Sequence, residues 1–221
     1  MENKIIVFAN VKGGVGKTTA CGLFANWLHE NGYQVAVMDA DFQATLLRKR
    51  KRELQADPDA AIPYEIIGLP SGSVDDTTKL MKNFKKYDGI ILIDCPGNLN
   101  AENMVPIYQA ADYAVIPLDY FDESIDATTI FVPTLRKISN CKMIFLPNKI
   151  AAGEGNKDEK AQREETMKIL GKLGHLNKKI QRKIDLTRYS TLYPNSKEQT
   201  KWVKFAFEDI MNEIKYWEDR K

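Results

Sequence analysis

An α/β fold, with a doubly wound and mostly parallel sheet flanked by helices, is what this sequence predicts, and three observations predict it. Short runs rich in β-branched residues recur along the first 150 residues. Each is nearly continuous in apolar character, as strands covered on both faces of a parallel sheet are. Segments of helical period lie between them, and alternation of this kind packs helices onto both sides of a sheet.

Taken in order, strands are expected at 4–9, 34–38, 64–67, 89–93, 113–116 and 142–146. A first helix over 19–31 carries Leu23, Phe24, Trp27 and Leu28 on one stripe, and Gly32 stops it. The segment 74–87 repeats Leu80, Met81 and Phe84. Helices over 100–111 and 122–139 follow, with Pro106 and Pro133 expected to kink or interrupt them. Residues 151–159, Gly-rich and charged, read as a surface loop, and 160–173 as an amphipathic helix. The basic stretch 178–186 has room for one more strand. A last helix over 196–219 sets Val203, Phe207, Ile210, Ile214 and Trp217 along one face, which suits packing onto the sheet.

Composition bounds the rest. At 221 residues and 43% hydrophobic, the chain is long enough to bury a full core, so 1–221 is expected to be a single domain. Disordered, collagen-like and low-complexity classes are excluded. Lys+Arg number 32 against 30 Asp+Glu, a net charge of +2, so any contact with nucleic acid has to come from a local patch. Cys21, Cys95 and Cys141 stand far apart without a CxxC pair, which argues for reduced single thiols. No apolar run reaches the roughly 18 residues of a membrane span, and the N-terminal run reads as a buried strand, too short for a signal-peptide core. His29 and His175 have no acid or cysteine at metal spacing, and no serine sits in a G-x-S-x-G elbow.

The chemistry is concentrated in Lys12-Gly13-Gly14-Val15-Gly16-Lys17-Thr18-Thr19, directly after the first strand and opening the first helix. Glycines let the backbone curl so that successive N–H groups point inward at phosphate oxygens, reinforced by the helix N-terminus. In such a P-loop Lys17 reaches the β- and γ-phosphates and the Thr18 hydroxyl ligates Mg²⁺. Val11 stands where the usual G-x-x-x-x-G-K-[ST] spacing has its first glycine, and a second lysine, Lys12, opens the loop. Further on, Asp39-Ala40-Asp41-Phe42-Gln43 closes the second strand. Two carboxylates at that edge of a sheet hold Mg²⁺ through water and orient an attacking water, or else cap the next helix. The run Ile90-Ile91-Leu92-Ile93-Asp94-Cys95-Pro96-Gly97 is an apolar strand ending in an acid. Asp94 there is placed to bind Mg²⁺ via water, and Gly97 to begin a segment responsive to the γ-phosphate.

With this deviant loop, the sequence resembles the ParA/MinD superfamily of deviant Walker A P-loop ATPases, over roughly 4–150 with ordered motifs and more loosely beyond. The resemblance implies a P-loop NTPase fold in which Lys12 crosses a dimer interface and two chains sandwich two ATP molecules. It implies catalytic roles for Lys12, Lys17 and Asp41, with Asp41 positioning or activating the hydrolytic water. Nucleotide binding falls to Gly13, Gly14, Val15, Gly16, Lys17, Thr18 and Thr19. Mg²⁺ falls to Thr18, Asp39 and Asp94. Asn148, in Pro147-Asn148-Lys149, stands where relatives contact adenine, and is otherwise a turn residue. Phe42 replaces the proline of the family's D-x-D-P-Q, a departure that bears on the path of that loop.

The superfamily divides by output into DNA segregation, membrane-bound division-site placement, and metabolic or metallocluster enzymes. Because the P-loop opens at Lys12, no N-terminal helix-turn-helix is expected, and the chain is similar to small plasmid-partition ParA proteins without one. The stretch 43–52 also looks like that subgroup. Basic residues cluster at 48–52 and at Lys178, Lys179, Arg182, Lys183 and Arg188, continuing to Lys197, Lys201 and Lys204. Such clusters are solvated faces or phosphate contacts, and non-specific DNA binding needs only a handful of the latter, doubled by a dimer. The resemblance thus implies an ATP-bound homodimer on non-specific double-stranded DNA. A ParB-like centromere-binding adaptor would stimulate it, in the cytoplasm on the nucleoid and without a membrane. A MinD-like or cargo-positioning ATPase at a membrane or protein scaffold is the alternative. Against it, the polar face of the last helix carries Glu208, Asp209, Glu213, Glu218 and Asp219, a poor match to anionic lipid. Metabolic readings lack paired cysteines or an amidotransferase domain, and Tyr216 alone is no terminal tyrosine cluster.

Overall fold

The computed structural model describes residues 3–70, 73–97, 102–151 and 156–220. Its elements run β1 (Lys4–Phe8), α1 (Lys17–Glu30), β2 (Val35–Asp39), α2 (Thr45–Ala56), β3 (Glu65–Gly68), α3 (Val74–Phe84) and β4 (Ile90–Asp94). A 3₁₀ turn (Glu102–Met104) leads into α4 (Val105–Ala110), followed by β5 (Tyr113–Leu118), α5 (Asp122–Ile138), β6 (Lys142–Pro147), α6 (Lys157–Leu173) and β7 (His175–Leu176). A second 3₁₀ turn (Ile184–Arg188) precedes α7 (Lys197–Glu218). The first two residues of the helix expected at 100–111, and 152–155 of the expected loop, lie outside the described residues.

All neighbouring strands are parallel, in the order β3-β2-β4-β1-β5-β6-β7. β1 lies between β4 and β5, where the winding reverses, so the loop that leaves its C-terminal end opens at the switch point of the sheet. In register, Asp94 of β4 stands beside Asp39 of β2 on one side and Phe8 of β1 on the other, which brings both acids to the same edge as that loop.

Both faces of the sheet are covered, which is why the strands are apolar without alternation. Ile6 and Phe8 of β1 join α1 and α7 in one core, while Ile5 and Val7 face α3, α4, α5 and α6 in the other. Val203, Phe207, Ile210 and Ile214 of α7 are buried, so its apolar face packs onto the sheet as expected. Ser196 starts the helix by accepting from the Gln199 N–H, and the Gln199 side chain accepts in return from the Ser196 N–H.

Several expectations need correction. Neither proline breaks its helix: Pro106 sits in the first turn of α4, where its missing N–H had no helical partner to lose. α5 runs through Pro133, held by the buried Phe131, Val132 and Leu135 around it. The extra strand precedes the basic stretch instead of lying in it. After β7 the Lys178 N–H turns to the Asp209 carboxylate at 2.9 Å, and the chain meets the sheet again without forming a strand, the Ile180 N–H donating to the Pro147 carbonyl and Gln181 bridging to Ile150. The basic run 48–52 belongs to a helix that hydrophobic spacing did not announce, because α2 buries only Leu46 and Arg50.

Packing between α1 and the segment after the second 3₁₀ turn is close. A Cβ placed on Gly22 would lie 2.3 Å from Cε2 of Tyr189, a ring that is itself buried. Gly22→Ala is therefore expected to cost about 1–3 kcal/mol of stability, the usual range for overpacking a filled site. Denaturant unfolding checks this, and an unchanged midpoint would mean that the Tyr189 ring gives way freely.

Candidate nucleotide-binding site

The site is built on the residues that join β1 to α1. Gly14 and Gly16 adopt φ of 81° and 91°, a region L side chains rarely enter, and Gly16 is also pressed from outside. A Cβ there would fall 2.5 Å from Nδ2 of Asn148. Among the described residues no side chain caps the first turn of α1, which leaves its leading N–H groups for the interior of the loop.

Three side chains from outside the loop hold this backbone in shape, and only one of them was singled out from the sequence. Asn148 donates through Nδ2 to the Val15 carbonyl at 2.8 Å. It is not the left-handed residue of its turn, a position taken by Lys149 with φ of 59°. Lys149 donates to the Gly14 carbonyl. Asn10, wholly buried, donates to the Pro117 carbonyl and the Thr128 hydroxyl, both at 2.9 Å, and accepts from the Lys12 N–H at 3.2 Å. A lone asparagine ending an apolar strand was the available signal for that brace.

The two lysines of the loop are placed differently. Lys17 is buried, its Nζ donating to the Lys12 carbonyl at 3.2 Å, and burial lowers its pKa against the pull of Asp94, Cys95 and Asp41. The Lys12 side chain is 38% exposed, and its Nζ lies 3.9 Å from Oε2 of Glu123 at the start of α5. Gly97 closes in from the end of β4: a Cβ there would be 3.3 Å from the Val11 carbonyl and 3.6 Å from Lys17 Nζ.

Two acids line the same edge, with unmet hydrogen-bonding capacity. Asp39 does cap the next helix, Oδ2 accepting from the Leu46 and Leu47 N–H groups at 2.8 and 3.2 Å. Among the described residues its buried Oδ1 has no partner in hydrogen-bond geometry, and the same holds for both carboxylate oxygens of Asp94, which have only the nearby Thr18 hydroxyl to draw on. Burial pushes the Asp94 pKa up to about 7, the Thr18 hydroxyl and Lys17 pulling it down while Asp39 and Asp41 raise it further. Burial also raises Asp39, against its backbone N–H donors. Orphaned buried carboxylate oxygens beside a threonine hydroxyl suit a hard cation. Among the described residues no three His, Cys, Asp or Glu side chains converge on a metal position. Mg²⁺ fits such a place when substrate phosphates complete its shell. Asp41, next along, accepts from the Gln43 N–H at 2.9 Å, and Phe42 between them projects fully into solvent.

Beside the loop, a cleft of about 230 Å³ is bordered by Thr19, Asn148, Ile180, Arg182, Lys183 and Leu186. Two members of the C-terminal basic group therefore face this cleft. Lys183 also lies over the Trp202 ring at 3.8 Å, whereas Lys178, Lys179 and Arg188 are exposed elsewhere. In the other basic run, Arg50 is buried, donating to the Thr191 hydroxyl, the Tyr64 carbonyl and the Thr191 carbonyl at 3.0, 2.9 and 2.6 Å. It is structural, and only Arg48, Lys51 and Arg52 of that run are exposed.

A parallel sheet whose switch point carries a glycine loop, a buried lysine and two flanking acids defines a P-loop nucleotide-binding protein. More narrowly, the chain belongs to the CobQ/CobB/MinD/ParA nucleotide-binding domain family, whose profile matches residues 6–191. No curated protein sequence matches it. Among solved structures it is similar to a plasmid partition protein of Borrelia burgdorferi bound to AMPPNP, at 17% identity over 96% of this chain and 100% of that one, with a TM-score of 0.71. An ATP complex of a Cyanothece McdA variant matches at 17% identity, 96% of each chain and a TM-score of 0.73. The pNOB8 ParA bound to non-specific DNA matches at 20% identity, over 76% of this chain and 74% of that one, with a TM-score of 0.58. No helix among the described residues is long and apolar enough to cross a membrane.

Proposed function

We propose that this chain is an Mg-dependent ATPase that closes as a homodimer around ATP and, in that form, binds double-stranded DNA without sequence preference. Its output is segregation of a plasmid or other DNA element, with hydrolysis stimulated by a ParB-like adaptor, and residues 1–221 act as one unit. The observation that carries this reading is the contrast between the loop's lysines. Lys17 is turned into the cradle, whereas the Lys12 ammonium stands at its mouth, its one ion pair among the described residues long and exposed. A cation so placed is available to a second copy's nucleotide.

In this reading the backbone of Gly13, Gly14, Val15, Gly16, Lys17, Thr18 and Thr19 cradles the phosphates, and Lys17 neutralises charge on the transferring group. Thr18, Asp94 and Asp39 would hold Mg²⁺, directly or through water, and the ion would shield the phosphate oxygens. Asp41 orients the attacking water. Asn148 positions the loop through Val15, leaving its Oδ1 to accept from an adenine amino group in the adjoining cleft. Lys178, Lys179 and Arg188 contact duplex phosphates, and Arg182 and Lys183 join them from the border of the cleft, where bound nucleotide would order them.

Sedimentation with and without Mg·AMPPNP, followed by retention of random duplex DNA, tests the reading. Nucleotide should double the mass and switch on DNA binding that falls steeply with salt. A nucleotide-loaded form that stays monomeric overturns the dimer. Co-sedimentation with anionic liposomes in place of DNA would move the output to a membrane.

A further inference from the structure

Away from the nucleotide, a groove of about 700 Å³ runs between α6 and the last strand of the sheet. Its floor is apolar, formed by Tyr120, Ile150, Met167 and Leu176, of which Leu176 is openly exposed. Its rim is basic. Lys160, Lys168 and Lys179 border it, all exposed, and none forms an ion pair among the described residues. The Arg163 guanidinium lies 5.6 Å above the Tyr120 ring and 3.9 Å from the Glu159 carboxylate, and among the described residues Glu164 is the single acid in the lining.

Two features of the fold shape this groove. Lys160, Arg163, Glu164, Met167, Lys168 and Gly171 recur at helical spacing, so one stripe of α6 makes one wall. The opposite wall is the edge of the sheet. β7 spans two residues and, among the described residues, pairs with β6 alone, while just past it the Lys178 N–H donates to the Asp209 carboxylate of α7.

We infer that this groove docks an acidic segment of a partner protein, with one or two large apolar side chains seated on the Tyr120–Met167–Leu176 floor and carboxylates meeting Lys160 and Lys168. Charge complementarity names the sign of the partner, since among the described residues the lining holds Lys160, Lys168 and Lys179, with Arg163 paired to Glu159, against Glu164 alone. The floor names its kind: a duplex offers phosphates but nothing apolar to fill the groove, whereas a peptide supplies both. Ile150 is also two residues from Asn148 and one from Lys149, the side chains that hold the P-loop carbonyls, so an occupant would touch the strand end that carries them.

Fluorescence anisotropy on the nucleotide-free chain tests this without relying on the ATP-dependent dimer. The probe is a labelled twelve-residue peptide of glutamate and aspartate carrying two leucines, compared with the same peptide carrying serines and with labelled random duplex DNA. Saturable binding of the leucine peptide is expected, weakened about tenfold or more by the double charge reversal Lys160→Glu with Lys168→Glu. Leu176→Ser should weaken it separately, and nucleotide affinity measured in parallel reports that both variants are folded. The inference fails if the peptide does not saturate, if the serine peptide binds as well, or if the charge reversal leaves binding unchanged. It also fails if the reversal removes DNA binding while sparing the peptide, which would make the groove a nucleic-acid surface.

Discussion

Lys12→Ala is expected to lower ATP turnover by about a thousandfold while nucleotide affinity stays within a few-fold, the pattern of a cation supplied across an interface. Both halves follow from the site. The contact Lys12 makes inside the loop runs through its backbone carbonyl, which accepts from Lys17 and survives the substitution. Among the described residues its ammonium pairs with Glu123 alone, at 3.9 Å and with Glu123 79% exposed, an ion pair worth about 0–1 kcal/mol. Truncation therefore costs the unloaded chain little, and the effect concentrates in the closed state. Single-turnover hydrolysis set beside equilibrium binding of a fluorescent ATP analogue measures the two halves. Equal loss in both would make Lys12 part of its own chain's binding site, and normal turnover would remove it from the mechanism.

Asp41→Ala should cut hydrolysis by about 10²–10³-fold and leave the ATP-loaded dimer to accumulate, because a residue that orients water is needed only at the chemical step. The fold should tolerate the change. The Asp41 carboxylate accepts from the Gln43 N–H alone among the described side-chain bonds, whereas Asp39 next to it holds two N–H groups of α2. Sedimentation after prolonged incubation with ATP, where the parent chain has returned to monomer, reads the trapped species. Mixing the two variants before adding ATP separates action in trans from action in cis. A mixed dimer has one site with Asp41 intact and Lys12 supplied by its neighbour, so random pairing should restore about a quarter of the parent rate. No recovery would place both residues in the same chain's site.

Most of the sheet was legible because each strand is covered on both faces and so reads as an unbroken apolar run. Six of the seven strands stand within two residues of where those runs put them. β7 escaped because two residues carry no pattern. α2 escaped for another reason: a helix that rests on the protein through Leu46 and a hydrogen-bonded Arg50 shows almost no hydrophobic stripe. At the site, the spacing of glycine, lysine and threonine placed the cradle, and the acids ending β2 and β4 placed its edge. Sequence left Asp39 open between metal support and helix capping. The geometry shows the capping with one oxygen and leaves the other buried and unpaired.

What the order of residues determined by itself was local: where the chain extends, where it coils, and which loop bends tightly enough to wrap an anion. Those depend on φ freedom, side-chain period and capping, all readable within a few positions. Only the tertiary structure decided which distant groups meet. Asn10 braces the loop against β5 and α5, Asn148 reaches Val15 from the end of β6, Arg50 is withdrawn from the basic run, and Arg182 and Lys183 face the cleft. Those meetings follow from strand order and from the demand that each buried polar group find a partner, and neither is encoded in any short window of the chain.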